Sequence, residues 1–139
     1  MIDKELVEGL RALLPECTRD ESDALLAAVK ARFQIDHTAT WWWTAIGVGA
    51  EIIAYDGADP TPRLRALLGN EGTKAFLIAT DDGAPPWPVF RGGWLELVRA
   101  VLEQRYFAYA LVAEDLSWIV FDTHHNQLVI AGLGNNPRQ

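Results

Sequence analysis

The sequence predicts an α+β fold, one domain over residues 1–139, with an antiparallel or mixed β-sheet that ends in a three-stranded meander. Helices are expected mainly on one face of that sheet. An N-terminal helical pair (about residues 3–33) precedes a sheet-containing core (about residues 38–132). Three observations predict this arrangement. From Tyr106 to Gly132, apolar runs crowded with β-branched and aromatic residues are separated by polar breaks at Glu114-Asp115 and Thr123-His124-His125-Asn126, the pattern of tightly turned antiparallel strands. The first third of the chain instead repeats its apolar residues at helical spacing. Between these regions, helices and strands neither alternate strictly nor segregate completely, which favours α+β over α/β.

In order along the chain, Ile2, Leu6, Leu10, Leu13 and Leu14 recur every three or four residues, so a helix is expected from Asp3 to Leu14, stopped by Pro15. Thr18-Arg19-Asp20-Glu21 has the form of a capping box, in which the threonine hydroxyl and the glutamate each satisfy a free backbone N–H. It opens a second helix, about Arg19 to Phe33, with Leu25, Leu26, Val29 and Phe33 along one stripe. Cys17 lies in the connection. As the chain's single cysteine it forms no internal disulfide, and it reads as a small buried hydrophobe rather than a nucleophile.

The periodicity becomes extended from Thr38. Trp41-Trp42-Trp43-Thr44-Ala45-Ile46 reads as a strand, broken by Gly47 and Gly49 before another at Glu51 to Tyr55. Adjacent strand residues face opposite ways, so Trp41 and Trp43 share a face and Trp42 takes the other. Asp59-Pro60 opens a short helix carrying Leu64, Leu67 and Leu68 and ending at Gly69-Asn70. Ala75 to Ala79 is a buried strand; Asp81-Asp82-Gly83 turns the chain. After the proline-rich Pro85 to Pro88, Val89-Phe90 is expected as an edge piece. Trp94, Leu95, Val98, Val101 and Leu102 then mark a helix from about Gly93 to Arg105 that feeds the meander.

Composition narrows the function classes. Half the residues are hydrophobic, 22% are charged, and the formal net charge is −7, a globular composition and one that argues against nucleic-acid binding, which needs clustered Lys and Arg. No stretch approaches the length of a membrane span, and the first residues lack the pattern of a signal peptide, so a cytoplasmic protein is expected. The charges are unevenly placed. No Lys or Arg occurs between Arg32 and Arg63, nor between Arg105 and Arg138. If those stretches meet in space they form an acidic face, suited to a basic protein partner. The residues expected to line it are Trp41, Trp42, Trp43, Glu114, Asp115, Trp118, Asp122, His124 and His125, because buried aromatic anchors and complementary charge are what protein interfaces use.

No cofactor or metal is expected. The chain has three histidines and one cysteine, and His124-His125 with His37 falls short of a convincing ligand set, since adjacent residues on a strand diverge. Asp122-Thr123-His124 supplies a carboxylate and an imidazole, but no nucleophile is fixed beside them. A small hydrolase using His124 or His125 with Asp122 is therefore the alternative, as is a structural or housekeeping domain. Gly132-Leu133-Gly134 lacks the third glycine of a nucleotide fingerprint.

Trp41-Trp42, Phe76-Leu77-Ile78, Trp87-Pro88-Val89-Phe90-Arg91-Gly92, Arg105-Tyr106-Phe107-Ala108-Tyr109, Leu116-Ser117-Trp118-Ile119 and His124-His125-Asn126 together resemble a family of small uncharacterised bacterial cytosolic proteins. The resemblance spans roughly Trp41 to Gly132 and implies no catalytic residues. In size and helix-sheet order the chain is also distantly similar to the SMI1/KNR4-like (SUKH) group, which implies an immunity-type role against a bacterial toxin.

Overall fold

The amphipathic repeat at the start of the chain folds as α1 (Lys4–Leu13), with Leu6, Val7 and Leu10 buried. The computed structural model describes residues 4–35, 50–55, 59–70, 72–80, 87–104, 107–123 and 127–132. Helix α2 (Arg19–Phe33) opens on the expected capping box: the Glu21 N–H donates to Thr18 Oγ1 at 3.2 Å and the Thr18 N–H donates to Glu21 Oε1 at 2.8 Å. Both donors would otherwise be free at the helix start. The helix ends at Gln34, which takes a left-handed conformation with φ 54°.

Strand β1 (Ala50–Ala54) is followed by α3 (Thr61–Leu68), β2 (Lys74–Ala79), β3 (Val89–Gly93), α4 (Trp94–Leu102) and then β4 (Tyr109–Ala113), β5 (Ile119–Thr123) and β6 (Gln127–Ala131). Pro60, and not Asp59, occupies the N-cap of α3; the Asp59 carboxylate, one residue before it, accepts the Thr61 N–H at 2.9 Å. The strand expected at Trp41 to Ile46 lies outside the described residues. The described strands form a 6-stranded sheet in the order β1-β6-β5-β4-β2-β3, every pairing antiparallel. The meander is present as expected, β4 to β5 to β6. Val89-Phe90 lies in β3 at one margin of the sheet.

Helices cover both faces, unequally. Against one face α1, α3 and α4 place Leu10, Leu64, Trp94, Leu97 and Val98, packing on Leu77, Leu111, Val120 and Leu128. Against the other, α2 and its exit place Leu26, Val29, Phe33 and Ile35 over Ile78, Ala110, Val112, Ile119 and Phe121. Double coverage explains why the central strands read as continuous apolar runs: every residue of β4 is buried, so no solvent face selects alternating polar residues.

The connection between α1 and α2 adds a further pairing. The Arg91 N–H donates to the Pro15 carbonyl at 3.1 Å and the Cys17 N–H donates to the Val89 carbonyl at 2.8 Å, with Glu16 bridged to Phe90. Residues 15–17 thus lie along the outer edge of β3 and occupy backbone groups that an edge strand otherwise leaves open.

Candidate functional site

The pairing of β1 with β6 brings the two base-free stretches of sequence together. Strands β1, β6, β5 and β4 are consecutive in the sheet and contain no Lys or Arg, whereas Lys74 and Arg91 lie on β2 and β3. One side of the sheet is therefore base-free across four neighbouring strands. Glu51 on β1 is exposed beside Ile52, which is 65% exposed. Glu114 and Asp115 are exposed in the turn between β4 and β5.

That turn is held in a defined shape. The Leu116 N–H donates to the Ala113 carbonyl at 2.8 Å, the Ser117 N–H donates to Asp115 Oδ1 at 3.0 Å, and Leu116 has φ 63°. An aspartate that accepts from a residue two positions on closes an Asx turn. The Ser117 hydroxyl, and then its backbone N–H, hold the Asp115 carboxyl below its ordinary range, because hydrogen bonds donated to a carboxylate favour its charged form. Beside the turn is a cleft of about 270 Å³ whose lining includes Glu114, Asp115, Ser117, Trp118 and Lys74.

The expected partner-contacting residues separate into three groups. Glu114 and Asp115 stand exposed, as an acidic contact surface requires. Trp118 and Asp122 do not: they are 6% and 2% exposed, so neither side chain is offered to a partner as a surface group. Trp118 belongs to the core under α1, α3 and α4, where it fills space between the sheet and helices while its edge meets the turn cleft. Asp122 Oδ1 accepts the Tyr55 hydroxyl at 2.6 Å. Trp41, Trp42, Trp43, His124 and His125, together with His37, lie outside the described residues.

Two arrangements were not foreseen from sequence. One is the Tyr55–Asp122 pair, in which Asp122 has Tyr109 as its register partner on the neighbouring strand. The other surrounds Cys17, which is buried as expected but has Arg91 Nη2 at 3.8 Å from its Sγ; the same nitrogen donates to Glu21 Oε2 at 2.9 Å. Sequence distance hides both, since 67 residues separate the first pair and 74 the second. Among the described residues no group of His, Cys, Asp and Glu is arranged to hold a metal ion. Nor is any helix among them long and apolar enough to cross a membrane.

Comparison with known proteins places the chain beside none of them: no family model, no curated protein and no solved structure matches.

Proposed function

We propose that this chain is a non-enzymatic binding protein of the cytoplasm that engages a basic protein through the base-free half of its sheet, centred on the β4–β5 turn. The observation that supports this reading is the β1–β6 pairing, which joins the two stretches lacking Lys and Arg into one continuous region of the sheet. Exposed Glu51, Glu114 and Asp115 give that region its negative potential, and such a field draws in a basic partner and orients it during encounter. The turn cleft adds a recess next to the acids in which a partner side chain is received. The resemblance to SMI1/KNR4-like proteins supports a narrower form of the proposal, an immunity-type protein that neutralises a basic toxin.

The reading predicts a basic partner encoded nearby, and the test is association with that protein, measured by surface plasmon resonance at increasing salt. Wild type is expected to associate faster at low salt. The Glu51→Lys/Glu114→Lys/Asp115→Lys variant should associate roughly tenfold more slowly and lose most of the salt dependence. Unchanged binding by that variant would sink the proposed surface.

A further inference from the structure

The strap at residues 15–17 is gripped at both ends by one residue of β3. The Arg91 backbone N–H donates to the Pro15 carbonyl at 3.1 Å. Its side chain reaches the first turn of α2, where Nη2 donates to Glu21 Oε2 at 2.9 Å, with Cys17 Sγ 3.8 Å from the same nitrogen. Glu21 in turn serves two elements. Its Oε1 accepts the Thr18 N–H at 2.8 Å while Oε2 takes the guanidinium, so one carboxylate joins the cap of α2 to the outermost strand of the sheet.

Little else holds the strap down. Of its three residues only Cys17 is buried, and Pro15 and Glu16 are exposed. Its pairing with β3 rests on two backbone hydrogen bonds, from Arg91 to Pro15 and from Cys17 to Val89. So small a unit opens locally at less cost than the whole fold. The Glu21 and Arg91 side chains are each about half exposed. An ion pair in that setting adds little to global stability, but it changes a local opening equilibrium by a measurable factor. The other charges nearby are engaged elsewhere: Arg19 pairs with Asp23 on α2, and Glu16 on the strap pairs with Arg11 on α1.

We propose that residues 15–17 are a displaceable guard on the outer edge of β3, latched by the Glu21 carboxylate to Arg91 and released by acid while the sheet stays folded. Protonation of Glu21 removes its charge-assisted bond to the guanidinium and weakens it as an acceptor for the Thr18 N–H. The Glu21 carboxyl is held below its ordinary range, by the Thr18 N–H first and by Arg91 to a lesser degree. The latch is therefore complete above the unfolded glutamate value and is lost as pH falls through the lower folded-state value. Opening frees the backbone groups of Val89 and Arg91 that the strap occupies.

Residue-resolved amide hydrogen exchange of the full-length chain, from neutral pH down to about pH 3, tests this. Each rate is divided by the intrinsic rate of the unfolded peptide at the same pH. The amides of Cys17 and Arg91 report the strap, and those of β4 report global opening. Protection of the two strap amides should fall about threefold on acidification, the scale of an exposed ion pair, with β4 unchanged. Glu21→Gln should show that loss already at neutral pH and respond no further to acid. Arg91→Gln should match it at neutral pH, and the double variant should be no worse than either, because both remove one latch. An acid response in Glu21→Gln equal to that of wild type, additive losses in the double variant, or strap amides that exchange only together with β4 would overturn the proposal.

Discussion

The Tyr55 hydroxyl donates to Asp122 Oδ1 at 2.6 Å, with both residues buried. Tyr55 directly follows β1 and Asp122 lies on β5, so the bond passes over β6 and ties the margin of the sheet to a strand nearer its centre. A hydrogen bond between two buried side chains is costly to remove, because the remaining group loses a partner where water does not replace it.

Tyr55→Phe keeps the ring and deletes only that donor. Its unfolding free energy should fall by about 1–3 kcal/mol in urea titrations. Amide hydrogen exchange should quicken in β1 before β4, because among the described strands β4 is held between β5 and β2 whereas β1 pairs with β6 alone. A change within about 0.5 kcal/mol, the range of ordinary surface substitutions, would show that the bond contributes little.

Glu21 makes the fold sensitive to acid. Its carboxyl is held below the ordinary range chiefly by the Thr18 backbone N–H, then by the Thr18 hydroxyl, and less by Arg91. A carboxylate whose folded-state pKa is depressed contributes stability that is complete above the unfolded value, about 4.3 for glutamate. That contribution is lost as pH falls through the lower folded-state value. Glu21→Gln retains the shape of the capping residue without the titration. Unfolding midpoints of wild type and variant should differ most at neutral pH and converge as pH falls below 4.3, roughly the glutamate value; a constant difference across that window would contradict the assignment.

Two glycines should answer to alanine in opposite directions. Gly132 has φ 96°, and a Cβ there would run into the Ser117 carbonyl and come within 2.9 Å of Trp118 Cα. Those are backbone atoms of the β4–β5 connection, which cannot turn aside. Gly132→Ala should therefore cost more than ~1 kcal/mol in thermal unfolding, since both conformation and space oppose it. Gly9 lies inside α1, where an added Cβ meets only the end of the Gln104 side chain. Once Gln104 rotates away, Gly9→Ala should stabilise by up to ~1 kcal/mol through helix propensity. The same melting experiment reads both variants.

The elements most legible from sequence were those fixed by neighbours along the chain. The capping box sets the start of α2 at Arg19, and turn residues with apolar runs define β4 to β6. Less legible was which side of each strand meets solvent. With α2 on one face and α1, α3 and α4 on the other, both faces are apolar. Trp118 consequently looks the same in sequence whether it anchors a partner or fills the core. Asp122 looked available for the complementary reason, since a carboxylate is ordinarily exposed and its phenol is 67 residues away. The acidic region was partly readable: its residues could be named, but joining its two stretches required the β1–β6 register.

The strap at residues 15–17 bears on how the chain avoids association while it is being made. It is synthesised well before β3, the strand whose outer backbone groups it occupies. When β3 leaves the ribosome, its covering segment is already present and tethered between two helices. The interval in which that margin could recruit a strand from another nascent chain is shortened by the order of synthesis itself. A circular permutation that opens the chain just before α2 would carry α1 and residues 15–17 to its end, so that the strap is made after β3.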